Sequence, residues 1–386
     1  MASPALIRDQ FRALYGREAT AVASAPGRVN LIGEHTDYND GFVLPMAIDR
    51  RTWVAVAPRS DERVFASSSQ FPDRQEVLFR HGAHAGTRPW NEYIAGVVWA
   101  MQSSVGAVRG FDAHVVSDVP VGAGLSSSAA LELAVACALS AMHGARWDAR
   151  AMAMLGQRAE NEYVGVRCGI MDQMAAAASR AGSVMLLDCR SLHATYAPLP
   201  PGLGVVVMDT GVRRALSASE YNDRRDACER ATHTIAETWP AVRALRDVAP
   251  DMFAQVHTRM DPLVERRARH VIGEMQRPSA MTHAFAAGDV RAAGALLDDS
   301  HASLRDLYEV SSSHLDIVCE EARLHPACYG ARLTGAGFGG CAIAFVDATR
   351  VDDFIASVQP RYEGRTYKKS SFFAALPSAG AHMEPQ

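Results

Sequence analysis

Residues 25–39, APGRVNLIGEHTDYN, hold the densest group of chemically versatile side chains in the sequence. Glu34, His35 and Asp37 stand close together there, between two apolar runs. Clustered carboxylates repel one another unless something binds them, so a solvated hairpin loop accounts for the segment poorly. Several fixed acceptors and one imidazole suit a ligand with many hydroxyl groups. The segment therefore predicts a sugar-like site.

Residues 120–130, PVGAGLSSSAA, form a glycine loop that runs into a serine-rich helix start. Glycines let a backbone approach phosphate closely, and the unpaired amides and dipole of a helix N-terminus attract anions. We expect Ser126 or Ser127 to cap the helix, and a serine hydroxyl can also hold Mg²⁺. The alternative is an ordinary capped helix after a glycine turn. Three serines behind Gly-x-Gly favour a phosphate site.

Lysine is almost absent from the chain. Of 39 basic residues in 386 positions, only Lys368 and Lys369 are lysines. A Walker A loop needs a lysine after its glycines, and a protein kinase needs one on an early strand, so both kinds of phosphate site are excluded. Any phosphate must be held by backbone amides, helix N-termini, arginine and metal.

Two further segments are less specific by themselves. In residues 168–173, CGIMDQ, Asp172 falls in the first turn of a predicted helix, where an acidic residue is common. Residues 333–340, LTGAGFGG, satisfy GxGxxG, but the strand predicted at 341–346 replaces the helix that a dinucleotide-binding unit requires. We therefore reject a dinucleotide-binding fold. We expect instead that these glycines let the backbone approach another segment or a ligand closely.

The predicted elements give an α+β fold of two domains, 1–195 and 196–386. Early strands, such as those at 20–24 and 111–117, alternate with helices, including an alanine-rich one from 126 to 143. The second half is mainly helical and closes with a β-α-β unit whose helix lies near 350–358. The tail, 377–386, is expected to be frayed.

Composition excludes several classes of protein. A net charge of −4 disfavours nucleic-acid or membrane-surface binding driven by charge, and no apolar run of about 18 residues suggests a membrane span. Seven scattered cysteines without a CxxC pair suit reduced thiols in a cytoplasm. The sequence shows no apolar patch that would indicate a subunit interface, so we expect a monomer.

Taken together, the four segments resemble the galactokinases, within the larger family of galacto-, homoserine, mevalonate and phosphomevalonate kinases. Residues 27–39 are similar to the galactokinase signature, 122–129 to the family's phosphate loop and 335–340 to its C-terminal glycine motif. The motifs occur in the family's order across most of the chain. The resemblance implies an N-terminal domain with a left-handed β-α-β unit, a ferredoxin-like C-terminal domain and an active site in the cleft between them.

The resemblance also implies a reaction, in which ATP phosphorylates the anomeric hydroxyl of α-D-galactose, and roles for particular residues. Asp172 matches the catalytic aspartate, and Arg28 beside it would keep it ionised. Matches to sugar contacts are Glu34, His35, Asp37, Gly169 and Tyr221. Matches to the ATP site are Gly122, Gly124, Leu125, Ser126, Ser127 and Ser128, with Ser128 and Glu160 as Mg²⁺ ligands. Trp90 and Tyr93 either line the adenine pocket or belong to the core.

Three alternatives stay open. A kinase for a related sugar, such as N-acetylgalactosamine, would differ only in the room around the 2-substituent. A non-catalytic sensor would bind galactose and ATP without turnover, which the unbroken serine loop and Asp172 disfavour. A mevalonate-type kinase is disfavoured because the Glu-His-x-Asp cluster is too polar for an aliphatic substrate.

Overall fold

The computed structural model describes residues 3–71, 75–76, 90–105, 108–213 and 217–385. The helices among them are α1 (Pro4–Tyr15), α2 (Asn91–Val105), α3 (Ser127–Met142), α4 (Ala149–Arg158), α5 (Met171–Ala178), α6 (Ser217–Ala236), α7 (Pro250–Val256), α8 (Pro262–Glu274), α9 (Arg277–Ala286), α10 (Val290–Asp306), α11 (Ser313–Arg323) and α12 (Val351–Thr366). The strands are β1 (Ala21–Asn30), β2 (Phe42–Val43), β3 (Pro45–Pro58), β4 (Val64–Ser68), β5 (Gln75–Glu76), β6 (Phe111–Ser117), β7 (Ser183–Asp188), β8 (His193–Pro198), β9 (Leu203–Asp209), β10 (Cys328–Leu333), β11 (Cys341–Asp347), β12 (Ser371–Ala375) and β13 (His382–Met383).

The N-terminal domain is built on a sheet with the strand order β13-β1-β3-β6-β4-β5. Both faces of β1 are covered, because side chains alternate between two cores along a strand. Ala23 packs into the core shared with α3 and α5, whereas Val22 packs beside Phe11 of α1. All ten residues of β1 are consequently buried. The strand is a rigid base for the side chains at its carboxyl end.

The C-terminal domain carries an antiparallel sheet with the order β10-β11-β9-β12. The core on one face joins it to α6, α8, α11 and α12, and the core on the other face joins it to α9 and α10. A small sheet, β2-β7-β8, lies close to α9. The two-domain α+β architecture predicted from the sequence is confirmed.

Two local predictions are wrong. The strand expected at 20–24 runs on to Asn30, so the first six residues of the sugar-like segment are strand rather than loop. The tail expected to fray is ordered, because β13 pairs with β1 in the N-terminal sheet. Arg51 holds it by donating to the carbonyls of Ala379 and Gly380 at 2.7 and 3.0 Å. In the described part of the chain, no helix is long and apolar enough to cross a membrane.

Candidate active site

A cavity of about 680 Å³ collects residues from both domains. Its wall includes every site residue predicted from the sequence except one: Arg28, Glu34, His35, Asp37, Trp90, Tyr93, Gly122, Gly124, Ser126, Ser127, Ser128, Glu160, Gly169, Asp172 and Tyr221. The exception is Leu125, whose side chain is fully buried in the core. Its carbonyl accepts the N–H of Arg28 at 3.1 Å, so its place in this site is through its backbone.

Arg28 connects the phosphate loop to the helix that carries the predicted catalytic aspartate. The pairing of β1 with β3 shifts register between Pro26 and Arg28, an irregularity of the kind that is common beside functional sites. Its Nε and Nη2 lie 2.8 and 2.7 Å from Oδ1 of Asp172, and its Nη1 donates to the carbonyl of Gly124 at 2.6 Å. Both contacts to Asp172 use Oδ1, which leaves the outer oxygen, Oδ2, for a substrate.

The loop after β1 presents buried carboxylates to the cavity. Glu34 is 2% exposed, and its Oε2 accepts hydrogen bonds from Asn30, at 3.2 Å, and from Arg332 of β10. Burial raises the pKa of Glu34 to about 7, although the positive charges of Arg332 and Arg28 oppose the rise. This carboxylate titrates near neutral pH.

Asp37 and Gly169 touch where the loop meets the residues that precede α5. A Cβ at Gly169 would lie 1.9 Å from Oδ2 of Asp37, so only glycine fits there. Burial raises the pKa of Asp37 to about 6, and the negative charge of Asp172 adds to the rise. The backbone N–H groups of Tyr38 and Met171 donate to this carboxylate and fix its position.

An aromatic cluster surrounds His35 of the cavity wall. Nδ1 of His35 lies 2.8 Å from the hydroxyl of Tyr38, which lies 2.6 Å from the hydroxyl of Tyr308. Tyr221 of α6 packs its ring 5.7 Å from that of His35 and 5.3 Å from that of Tyr38. The cluster joins a helix of the C-terminal domain to the N-terminal loop.

The phosphate loop ends without the predicted cap. Ser126 adopts a left-handed conformation, with φ 58°, and neither it nor another side chain caps α3. The prediction that Ser126 or Ser127 caps the helix is therefore wrong, since α3 begins at Ser127 and Ser126 before it makes no capping hydrogen bond. The first amides of α3, a helix of 16 residues, stay available for an anion, which is the arrangement that binds phosphate at helix N-termini.

Glu160 and Ser128 offer oxygen ligands for a cation. Burial raises the pKa of Glu160 to about 7, and the charge of Asp172 adds to it, while hydrogen bonds from Cys168 and Ser128 oppose the rise. Gln173 holds this carboxylate by donating from Nε2 to its Oε2 at 2.8 Å. The charged residues of the described cavity wall are four carboxylates and one arginine, an imbalance that a divalent cation would offset.

Such a set fits Mg²⁺. Magnesium takes one or two protein carboxylates together with substrate phosphates and water, rather than a closed cage of side chains. Among the described residues, no group of three or more His, Cys, Asp or Glu side chains could hold a metal ion.

Trp90 and Tyr93 line the other end of the cavity, so they are not purely core residues. The ring of Trp90 stacks on that of Phe71, with centroids 5.9 Å apart and planes 9° from parallel. Around them, Thr52, Ser68, Val115 and Leu131 complete a mostly apolar wall. Stacked aromatic rings beside apolar side chains suit a flat heterocycle.

Sequence reasoning missed several residues that the fold brings to the site. Tyr308 is far away in sequence and carries no local motif, so only the tertiary structure finds it. Arg332 directly precedes the glycine segment 333–340, but that segment gives no sign of a contact with Glu34. Gln173 has a signal, because it directly follows Asp172. Arg213 has its Cδ 3.6 Å from the position a Cβ would take at Gly122, which places a guanidinium beside the phosphate loop.

The C-terminal glycine motif makes the close backbone approach that its sequence predicts. A Cβ at Gly340 would lie 2.5 Å from the carbonyl oxygen of Ala123 in the phosphate loop. The backbone of Gly340 has φ +81°, a conformation that L side chains rarely adopt. The two glycine-rich loops thus meet at the edge of the cavity.

Comparison with known proteins agrees with this geometry. Residues 9–58 match the galactokinase galactose-binding signature, 92–180 the GHMP kinases N terminal domain and 281–364 the GHMP kinases C terminal domain. The chain is 42% identical to a galactokinase of Roseiflexus sp. (strain RS-1) over 97% of its own length and 95% of the relative's. The chain belongs to the galactokinase family.

Two further comparisons support the same family. The chain is 45% identical to a galactokinase of Chloroflexus aggregans, and the match covers 92% of this chain and 91% of the relative. The crystal structure of Lactococcus lactis galactokinase complexed with galactose matches with a TM-score of 0.92 and 33% identity, covering 98% of this chain and 99% of that one. The mevalonate kinase of Methanococcus jannaschii, with a TM-score of 0.62 and 14% identity, shares the fold. As a galactokinase-family member with both GHMP domains, the chain is an ATP-dependent sugar kinase.

Proposed function

We propose that this protein transfers the γ-phosphoryl group of ATP to the anomeric hydroxyl of α-D-galactose, giving galactose 1-phosphate and ADP. The observation that carries the proposal is the position of Arg28, which contacts both Asp172 and the phosphate loop. A sugar hydroxyl at Asp172 would then face phosphates at the N-terminus of α3. The Lactococcus lactis relative was solved with galactose, which supports the same sugar here.

The roles of the residues follow from charge and position. Phosphoryl transfer depends mainly on positioning and electrostatic stabilisation. Asp172 orients the anomeric hydroxyl and accepts its proton at Oδ2, while Arg28 holds Oδ1 and offsets negative charge on the transferring phosphoryl group. Glu34, His35, Asp37, Gly169 and Tyr221 bind the sugar, and the amides of residues 122–128 hold the phosphates. The stacked wall at Trp90 and Tyr93 receives the adenine.

Ser128 and Glu160 would hold Mg²⁺, which when bound neutralises the phosphate oxygens. Ser128 already hydrogen-bonds Glu160, so the two ligands stand together. We also propose a cytoplasmic monomer. All seven cysteines are free thiols, which suits a reducing compartment, and light scattering would check the mass.

A coupled ADP-release assay tests the proposal with galactose, N-acetylgalactosamine, glucose and mevalonate as acceptors. We expect the highest kcat/KM with galactose and none with mevalonate. A preference for N-acetylgalactosamine would change the proposed substrate but would leave the proposed kinase reaction in place. Galactose binding in a calorimeter without turnover on any acceptor would contradict the kinase proposal and indicate a sensor.

A further inference from the structure

The sugar-binding loop is held in place by a helix of the other domain. Oε1 of Glu274, at the end of α8, accepts the backbone N–H groups of Gly33 and Glu34 at 3.0 and 3.3 Å. The same oxygen accepts the hydroxyl of Ser300 at 2.8 Å, and the Glu274 side chain is fully buried. One turn earlier, Nε2 of His270 lies 3.2 Å from the carbonyl of Glu34. Both backbone groups of Glu34 are thus fixed from α8.

The carboxylate of Glu34 is held from the same domain by a second element. Arg332 on β10 is fully buried, donates from Nη1 to the carbonyl of Leu31 at 2.8 Å and pairs through Nη2 with Oε2 of Glu34. Asn30 donates to that same oxygen. Both of these hydrogen bonds reach Oε2 rather than Oε1, and Glu34 lines the cavity.

We propose that Arg332 is a positioning residue for sugar binding: from the C-terminal sheet it fixes Oε2 of Glu34 and thereby presents Oε1 to a sugar hydroxyl. The inference rests on the proposed function, because it takes galactose as the ligand of Glu34. Arg332 itself touches neither sugar nor phosphate. It acts by orienting Glu34 and by supplying the opposite charge that favours the ionised form of this buried carboxylate.

The charges around Glu34 give this role a pH signature. Arg332 from β10 and Arg28 from β1 favour the carboxylate, whereas Glu274 from α8 disfavours it, and His270 faces the backbone carbonyl. Burial and the negative charge of Glu274 raise the pKa of Glu34. Without Arg332, only the positive charge of Arg28 would oppose them, so the pKa of Glu34 must rise above its present value of about 7. Sugar affinity would then be lost near neutral pH and recover as the pH is raised.

A double-mutant cycle tests the proposal with galactose binding measured by calorimetry in the full-length protein. We expect Arg332→Met to raise the Kd at pH 7 about tenfold or more, since a hydrogen bond to a charged group is lost. In a Glu34→Gln background, the same change should alter the Kd less than about twofold, because the carboxylate is already absent. Equal effects in the two backgrounds would overturn the proposal.

The pH series supplies a second readout that a merely structural role would not move. The deficit of Arg332→Met relative to the parent protein should shrink between pH 7 and pH 9. In the Glu34→Gln background, the effect of Arg332→Met should be flat over that range. A deficit that stays constant with pH in both backgrounds would show that Arg332 does not act through the charge of Glu34.

Arg323→Met is a matched control, because Arg323 also pairs with one carboxylate and donates to one carbonyl, that of Ala331 on β10. It should lower stability without changing galactose affinity. If Arg332→Met does not fold, Arg332→Gln, which also removes the positive charge, gives the same cycle in the same two backgrounds. A parent protein that fails to bind galactose would contradict the proposed function, whereas a parent that binds and an Arg332→Met variant that binds equally would contradict only this inference.

Discussion

At the scale of single residues, the proposed function divides the two oxygens of Asp172 and of Glu34 between protein and substrate. Arg28 occupies Oδ1 of Asp172, and Arg332 with Asn30 occupies Oε2 of Glu34. A carboxylate held at one oxygen loses little further rotational freedom when its other oxygen accepts a ligand hydroxyl. The arginines therefore reduce the entropic cost of binding as well as balancing charge.

Asp172→Asn tests the proposed role of Asp172 as the catalytic base. Asparagine keeps the shape of the side chain but cannot accept the proton of the hydroxyl, so we expect kcat to fall by about two to four orders of magnitude. Steady-state ADP release measures this. Calorimetry of galactose binding is the control and should change only a few-fold. A variant with near-normal kcat would show that Asp172 is not the base.

Galactose affinity should depend on pH between 8 and 6. Burial raises the pKa of Glu34 to about 7 and that of Asp37 to about 6, and only the ionised forms offer two acceptor oxygens each. As the pH falls through these values, protonation competes with the sugar, so the Kd should rise about tenfold from pH 8 to pH 6. Calorimetry without nucleotide checks this. In a Glu34→Gln variant, the Kd should change less with pH, because only Asp37 still titrates. If the Kd changed with pH as it does in the parent protein, Glu34 would not be the titrating group.

At the scale of elements, two glycines set the distance between α10 and β10. A Cβ at Gly294 would lie 2.0 Å from the carbonyl oxygen of Tyr329, and one at Gly330 would lie 2.1 Å from that of Gly294. This backbone contact seats α10, which carries the Ser300 hydroxyl that supports Glu274. The packing of α10 thus supports the backbone of Gly33 through two successive hydrogen bonds, from Ser300 to Glu274 and from Gly33 to Glu274.

Gly294→Ala should therefore destabilise the protein. Helix propensity alone predicts a gain of about 1 kcal/mol, but the clash with Tyr329 forces the elements apart, and we expect a net loss of about 1–3 kcal/mol. Urea unfolding measures it. Gly364→Ala in α12 is the matched control, because nothing lies within 4 Å of its added Cβ, and it should gain up to about 1 kcal/mol. The idea fails if both variants gain stability.

Elements with a strong local pattern could be predicted from the sequence, and those decided by tertiary contacts could not. The strand at β6 was predicted at its observed bounds because its apolar run ends at clear turn residues. The helix expected near 350–358 instead continues through Pro360 to Thr366, since burial of Tyr362 favours its last turns. The phosphate loop was recognised, but the left-handed backbone of Ser126 and the absence of a cap were not, because both depend on the surrounding chain.

At the scale of the whole molecule, the C-terminal segment belongs physically to the N-terminal domain. The sequence suggested a boundary near residue 195, yet β13 adds a strand to the sheet of β1. Arg51 joins the segment to β1 by donating also to the hydroxyls of Ser24 and Ser378, at 2.9 and 3.0 Å. The chain therefore crosses between the domains more than once.

Arg51→Gln should loosen this attachment. Glutamine reaches fewer of the carbonyls and hydroxyls that Arg51 serves, so buried acceptors lose their donors, and we expect a loss of about 2–4 kcal/mol. Thermal unfolding measures it. Arg12→Gln is the control, because its ion pairs are exposed and should contribute less than about 0.5 kcal/mol. Equal losses would contradict a special role for Arg51.

The pairing of β13 with β1 also determines when the N-terminal sheet can be completed during translation. Ser24 and Glu384, which share a hydrogen bond, are 360 positions apart. At about 5–20 residues per second, β1 leaves the ribosome roughly 20 to 70 seconds before its neighbour exists. During that interval the outer edge of β1 offers unpaired amides and carbonyls to any nearby strand. The N-terminal sheet can be completed only after almost the whole chain has been translated, and until then its open edge is a natural target for chaperones.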